Sequence, residues 1–248
     1  MAPKPLRRRL ALDEVGSTNV VALEAARAGD PGPLWITAER QSAGKGRRAR
    51  SWVSERGNLY TTLLLVDPAP LEHVANLPLV AALGVRNGLA TLKGADRLDI
   101  QIKWPNDILV KARKTAGILV ESERLADGRL ATVIGCGVNV ENVPEGTPYP
   151  VTGLRREGIA ASVLEVFAAL ASGVEEALSL WRRGTNFAAV RQAWIAHAAG
   201  IGKPCTVNLP DRSVGGIFAD LDATGRLVLD EPDGNRRLVS AGDVFLLG

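Results

Sequence analysis

Gln41-Ser42-Ala43-Gly44-Lys45-Gly46-Arg47-Arg48-Ala49-Arg50, with the apolar run from Asn58 to Val66 that follows, is the stretch on which the reading of the fold turns. Gly44-x-Gly46-x-x-Ala49 fits the dinucleotide-binding fingerprint, but that fingerprint needs a helix to open in its second half. Here Ser51 to Leu65 has the composition of a strand instead. The P-loop pattern is excluded as well, because Gly46 follows Lys45 where serine or threonine is required. What remains is a flexible loop with four cations in six residues. Its glycines let the backbone approach a ligand closely, and its arginines offer paired donors to phosphate or carboxylate. The alternative is a solvated basic loop that binds nothing.

Outward from this loop the pattern alternates between helices and strands. Ser17 to Ala28 reads as a helix with Ser17 or Thr18 as N-cap and Gly29 just past its end. Leu34 to Ala38 is a short strand, and Pro78 to Lys93 a helix carrying Ala82, Val85, Leu89 and Leu92 on one face. Strand-like runs follow at Leu98–Lys103, Thr115–Glu121 and Leu130–Val140, apolar enough to imply a sheet covered by helices on at least one face. Asn142 to Pro150, with three prolines and a glycine, is a loop. Helices are expected over about Ser162 to Arg183 and over Phe187 to Ala198. The texture changes at Gly200-Ile201-Gly202. Beyond it, short β-type runs at Cys205–Leu209, Val214–Leu221, Arg226–Asp230 and Arg236–Val239 imply a small barrel that leans on the main domain. The expected fold is therefore α+β, with a larger domain over 1–199 and a small one over 200–248.

The chain has 248 residues, 46% hydrophobic and 23% charged, the balance of a folded soluble protein. A net charge of +3 is too small to argue for nucleic acid by itself. The basic start from Met1 to Arg9 is followed only by Leu10-Ala11-Leu12, short of the roughly 7–15 apolar residues of a secretory leader. No run approaches the ~20 apolar residues that span a bilayer. Cys136 and Cys205 are too few for a disulfide framework and lack metal-ligand spacing. A reduced cytoplasm is the expected setting.

Four further stretches carry candidate chemistry. In Lys103-Trp104-Pro105-Asn106-Asp107, the proline holds Trp104 extended and leaves two polar side chains at a strand junction. The competing reading is an ordinary turn. Lys114 enters the apolar run Thr115-Ala116-Gly117-Ile118-Leu119-Val120-Glu121, either as a ligand contact or as a rim charge. Gly135 and Gly137 point the same way from one strand, so that a flat ligand can lie on them; the alternatives are a bulge or a closely packed helix. Gly16-Ser17-Thr18-Asn19 opens the first helix; capping explains one hydroxyl and leaves the other for a neutral polar ligand. His73 and His197 have no partners at metal or triad spacing and are read as structural.

In this order the five stretches resemble the biotin–protein ligase family, from Gly16 to the end of the chain. The resemblance implies a class II synthetase-like catalytic domain with a mixed sheet, followed by an SH3-like barrel. It implies ATP and Mg²⁺ as cofactors, biotin as substrate, and a biotin carboxyl carrier protein as acceptor. By the same resemblance Ser17, Thr18, Asn19 and Gln41 contact biotin, together with Gly44, Lys45, Arg47, Lys114, Gly117, Gly135 and Gly137. Arg47, Arg48, Arg50, Trp52, Asn106, Lys114 and Asn139 fall to ATP, and Lys114, Asp107 and Arg47 to catalysis; no protein metal site is expected. The loops at 41–50 and 141–150 are expected to close over an acyl-adenylate. Lys45 stands where arginine is frequent and Ala49 where glycine is common, so a planar fork and some flexibility are lost. Only 15 residues precede Gly16, too few for the helix-turn-helix domain of the members that double as repressors, so a monofunctional ligase is expected.

Two rival readings remain. A lipoate–protein ligase would share the architecture and the adenylation step, but its glycine-triplet motif is not found. A nucleic-acid-binding module would need aromatics interleaved with the basic residues, and near 41–50 only Trp52 qualifies. A homodimer through an exposed strand edge stays open.

Overall fold

The computed structural model describes residues 8–209 and 212–246, apart from the side chain of Ala49. Most of the basic N-terminal stretch weighed above as a leader, and the side-chain departure at Ala49, therefore lie outside the described residues. Seven strands form one mixed sheet: β1 (Arg9–Val15), β2 (Leu34–Gln41), β3 (Leu59–Val66), β4 (Ile100–Lys103), β5 (Asp107–Val110), β6 (Arg113–Arg124) and β7 (Leu130–Val138). Their order is β1-β2-β3-β7-β6-β5-β4. β1 and β2 are parallel and joined through helix α1 (Thr18–Arg27), while every other neighbouring pair is antiparallel.

Side chains alternate across a strand, so this register sorts residues onto two faces. Leu59 and Leu63 of β3, Ile118 of β6, and Ile134, Cys136 and Val138 of β7 join one core with α3 (Leu77–Ala90), α4 (Val163–Trp181) and α5 (Phe187–Ile195). A four-residue helix, α2 (Leu71–Val74), precedes α3. On the opposite face Leu64, Ala131 and Val133 pack against Ala22 and Ala26 of α1. That second core covers only part of its face, and the uncovered part becomes the cleft described below.

Helix ends follow local chemistry. Ser162 and Glu165 form a reciprocal capping box at the start of α4, which ends at Trp181 where Arg182 turns left-handed with φ 50°. Pro78 lies in the first turn of α3, as expected of a residue without an amide proton. α3 and α5 stop short of the expected Lys93 and Ala198. β1, β5 and α2 were not expected from the sequence. No described helix is long and apolar enough to cross a membrane.

The C-terminal strands β8 (Pro204–Asn208), β9 (Ser213–Leu221), β10 (Leu227–Asp230), β11 (Arg236–Val239) and β12 (Asp243–Leu246) form an antiparallel sheet in the order β11-β10-β9-β8-β12. Among the described residues no ladder joins β11 to β12. Phe218, Leu227, Leu229 and Val244 belong to the same core as Leu77 and Trp194, so the two sheets share one apolar interior. Polar bonds add to the seam: Trp104 Nε1 donates to Gly225 O at 3.1 Å, and Asn76 Nδ2 to Thr224 O at 2.9 Å.

α3 and α4 approach closely because glycines face each other. A Cβ on Gly88 would sit 2.3 Å from Ala169 O, and one on Gly173 would sit 2.2 Å from Gly84 O. Alanine gains about 1 kcal/mol of helix propensity over glycine, but overpacking costs about 1–3 kcal/mol and the obstacle here is backbone. Gly88→Ala should therefore lower the urea midpoint. A higher midpoint would mean that these helices do not touch at Gly88.

Candidate active site

Register places the chemistry. Across the sheet Lys103 pairs with Asp107, Asp107 with Gly117, Gly117 with Gly137, and Gly137 with Tyr60. Directly opposed residues share a face, so these five form a lateral row on the α1 side. A second row runs Leu119–Gly135–Thr62. Lys114 should by simple alternation join Ala116 and Ile118 in the α3–α4 core. Instead the β5–β6 ladder shifts register, with Ile108 opposite Ala116 but Leu109 opposite Lys114. That bulge inserts one residue and turns Lys114 to the cleft, the re-aiming for which bulges recur beside active sites.

The cleft holds about 1010 Å³ of space, part of it open to solvent. One half is neutral. Gln41 Oε1 accepts the Thr18 backbone N–H at 2.8 Å and the Thr18 hydroxyl at 3.1 Å, while Gln41 Nε2 donates to Ser54 Oγ at 3.0 Å. Ser17 is the N-cap of α1, yet its side chain makes no capping bond, so capping does not consume its hydroxyl. The other half is cationic, with Lys45, Arg47, Arg50, Lys103 and Lys114 in the lining. Lys114 Nζ lies 2.8 Å from Asp107 Oδ1, between the rings of Trp52 (5.4 Å) and Tyr149 (5.3 Å). Two backbone bonds, Lys114 N to Pro150 O and Thr152 N to Lys114 O, tie the expected 142–150 loop to this lysine.

The arginine stretch is a closed turn rather than an open loop. Gly46 N donates to Arg50 O at 2.7 Å and Trp52 N to Gly44 O at 2.9 Å. Asp243 of β12 then receives three guanidinium groups: Arg47 at 2.9 Å, Arg48 at 3.2 Å, and Arg50 in a short contact. Burial pulls the Arg47 pKa below its ordinary value, against the opposing attraction of Asp243 and Asp107. Burial likewise lowers the pKa of Lys103, again opposed by Asp107. Three arginines around one carboxylate leave a cationic surplus suited to a further anion.

Most of the expected residues meet in this cleft: Ser17, Thr18, Asn19, Gln41, Lys45, Arg47, Arg50, Trp52, Asn106, Asp107, Lys114, Gly117, Gly135 and Gly137. Three do not. Gly44 is buried behind it, where a Cβ would lie 2.5 Å from both Ser54 Oγ and Trp52 O. Arg48 is exposed and binds Asp243 from outside the cleft lining. Asn139 donates from Nδ2 to Thr152 O and staples the chain after β7. The glycine surface also differs from the expected open shelf. Asn19 fills the space over Gly135, and the Trp52 indole lies against Gly137 and Gly117.

Several site residues were not anticipated. Lys103 stood inside a quoted motif without a role, and pairing across the short β4–β5 hairpin would have put it beside Asp107. Tyr149 lay in a stretch read only as a loop. Asp243 carries no local signal and stands 193 residues from Arg50. Two buried polar atoms at the cleft have no hydrogen-bond partner among the described residues, the Trp52 indole N–H and Asn106 Oδ1. Both atoms can take a polar partner from a molecule in the cleft, whereas the unpartnered indole N–H groups of Trp181 and Trp194 lie in the core.

A mixed sheet with a half-neutral, half-cationic cleft on one face suits a small ligand with one uncharged and one anionic end beside a phosphate-bearing one. The chain belongs to the biotin/lipoate A/B protein ligase family, whose model matches residues 15–139. A biotin protein ligase C-terminal domain model matches 200–247. The biotin–[acetyl-CoA-carboxylase] ligase of Paracoccus denitrificans is 37% identical over 96% of this chain and 100% of its own length. The bifunctional ligase/repressor BirA of Bacillus subtilis is 30% identical, over 92% of this chain and 71% of that protein. Among solved structures, the biotin protein ligase from Aquifex aeolicus in complex with biotin and ATP aligns with a TM-score of 0.80 at 25% identity, covering 98% of this chain and 99% of that one.

The arginine cluster gives a direct test. Asp243→Asn removes the charge that gathers Arg47, Arg48 and Arg50, so trypsin should cut within 47–50 faster than in the wild type, in the absence of any substrate. Equal cleavage rates would show that Asp243 does not hold this turn.

Proposed function

We propose that the cleft is the active site of a biotin–protein ligase, which activates biotin with ATP as biotinyl-5'-AMP and transfers it to the ε-amine of a lysine on a carrier protein. The observation that carries this reading is the meeting, in one cleft, of a neutral hydroxyl–amide half with a cationic half that contains a single lysine–aspartate pair. Biotin has the matching polarity, with an uncharged cyclic urea at one end and a carboxylate at the other.

In the first step the biotin carboxylate attacks the α-phosphorus of ATP and pyrophosphate leaves. We assign Ser17, Thr18 and Gln41 to the ureido end and Lys114 to the carboxylate and α-phosphate. Lys45, Arg47, Arg50 and Lys103 offset charge building on the phosphoryl oxygens. Trp52 and Asn106, each with an unpartnered polar atom at the cleft, are assigned to the nucleotide. In the second step a neutral lysine amine attacks the acyl carbon of the mixed anhydride, the acyl–phosphate C–O bond breaks and AMP leaves, while Asp107 orients that amine or accepts its proton. Closure of the 41–50 and 141–150 segments over the adenylate would exclude water.

Among the described residues no group of three or more His, Cys, Asp or Glu forms a metal cage. Asp107 and Asp243 are both engaged by cations. We therefore assign Mg²⁺ to the ATP phosphates, where it neutralises charge, rather than to the protein. We take residues 1–199 as the catalytic domain and 200–248 as the small C-terminal domain. The acceptor is inferred to be the carboxyl carrier of a biotin-dependent carboxylase, which the name of the Paracoccus relative supports. The reaction is placed in the cytoplasm, where buried free thiols such as Cys136 and Cys205 stay reduced.

Incubation with biotin, Mg-ATP and a carrier domain should add one biotin to one carrier lysine, read by intact mass. Labelling with lipoate but not biotin would overturn the assignment. A charge-assisted hydrogen bond is worth about 1.5–3 kcal/mol, so Lys114→Ala should lose about ten- to a hundredfold in biotin-dependent ATP–pyrophosphate exchange. Wild-type rates in this variant would return Lys114 to the role of a rim charge.

A further inference from the structure

Glu121 ends the quoted Lys114–Glu121 stretch, and nothing above gives it a role. It lies on the same face of β6 as Gly117, outside the cleft lining. Its Oε2 accepts a hydrogen bond from Asn19 Nδ2 at 2.6 Å. The other end of the Asn19 amide, Oδ1, lies 2.7 Å from Thr62 Oγ1, and Thr62 Oγ1 in turn lies 2.8 Å from Thr18 Oγ1. Thr62 is fully buried, and Thr18 and Asn19 are nearly so. An unbroken polar chain therefore runs from Glu121 on β6 through Asn19 and Thr62 to Thr18 and Gln41.

Donor and acceptor accounting fixes its sense. A carboxylate only accepts, so the Asn19 amide turns its NH₂ to Glu121 and its carbonyl to Thr62. The single Thr62 proton then goes to Asn19. The Thr18 proton is directed inward, to Thr62 or to Gln41 Oε1, which leaves only hydroxyl lone pairs for the cleft. Asn19 is thus used at both amide ends by the protein. It also occupies the space over Gly135, where a Cβ would lie 2.3 Å from its Oδ1.

We propose that Glu121 and Thr62 are positioning residues that act through Asn19, pinning the first turn of α1 to the sheet and holding Thr18 as a hydrogen-bond acceptor for biotin. Asn19 belongs to this unit as the link between the sheet and the helix. The inference rests on the biotin-site reading above and deepens it. Loss of either anchor loosens the neutral half of the cleft. Lys114, Arg47 and Lys103 are held by other elements, so the phosphate half keeps its geometry.

The test is biotin-dependent ATP–pyrophosphate exchange by the full chain, with melting curves run on every variant. Glu121→Leu removes the acceptor from a half-buried strand position, and Thr62→Val removes the hydroxyl at constant shape. Each should raise the biotin KM by about tenfold, with kcat at saturating biotin and the ATP KM within about twofold of wild type. Glu121→Gln and Thr62→Ser keep an acceptor and a hydroxyl, and should stay within about threefold of wild type in biotin KM. The double variant Glu121→Leu/Thr62→Val should be little worse than the worse single, because both act on one amide. An unchanged biotin KM in a folded Thr62→Val or Glu121→Leu protein overturns the proposal, as does an ATP KM that rises in step. Should Glu121→Leu fail to fold, Thr62→Val against Thr62→Ser decides alone. A wild-type chain without biotin-dependent exchange sinks the functional reading itself, and this inference with it.

Discussion

The antiparallel register of β3, β7, β6, β5 and β4 is the constraint on which the cleft depends. It alone brings Lys103, Asp107, Gly117, Gly137 and Tyr60 into one row. A slip of one residue in any ladder would move that strand's contribution to the opposite face, into the apolar core beneath α3 and α4. Such a slip is penalised from both sides, because it would also lift Ile118, Ile134 and Val138 out of that core. The apolar face thus enforces the geometry of the polar one. Among these five strands the ladder shifts register at Lys114, and there the break puts a cation beside Asp107.

On this row the glycines mark where side chains from outside the sheet come to rest. Trp52 uses the space over Gly137 and Gly117, and Asn19 the space over Gly135. Both belong to segments that follow glycine-bearing stretches, Gly44 to Gly46 for Trp52 and Gly16 for Asn19. The sheet therefore supplies a floor, and the walls are brought to it by α1 and the arginine turn. Neutral and cationic halves arise because different elements deliver them: α1 and the end of β2 bring hydroxyl and amide groups, while β4, β6 and the 45–50 turn bring cations.

Much of this was legible in the sequence where a signal was local. The helices over 17–28 and 162–183, the strands at 58–66 and 130–140, and the change of texture at Gly200 all rest on periodicity or turn residues within a few positions. The motifs, too, were found as groups of neighbours. What escaped was set by pairing at a distance. β1 is an exposed edge strand, and its Leu10-Ala11-Leu12 could be weighed only as the remnant of a leader. β5 has four residues and follows a Pro-Asn pair that reads as a turn. The direction of Lys114 depends on a bulge that no alternation pattern contains. The glycine pair reads as a place for a flat ligand, a bulge or a packed helix; the groups that lie on it are the side chains of Asn19 and Trp52, identified only once the chain is folded.

Asp243 shows why the C-terminal sheet belongs to the site rather than beside it. β12 is held by β8, and Val244 next to Asp243 is buried in the core shared with the main sheet. The carboxylate is therefore placed by a paired strand, whereas the arginines it gathers stand on a short turn. Of the three arginines, Arg48 and Arg50 are exposed, and exposed pairs are worth roughly 0–1 kcal/mol each, so neither of these alone fixes the turn. Converging on one carboxylate, they favour a common arrangement yet leave positive charge over. An incoming phosphate can take up that surplus without first displacing Asp243. In the proposed reading, the same cluster would hold the turn near its working position before the substrate binds and still favour an anion when it arrives.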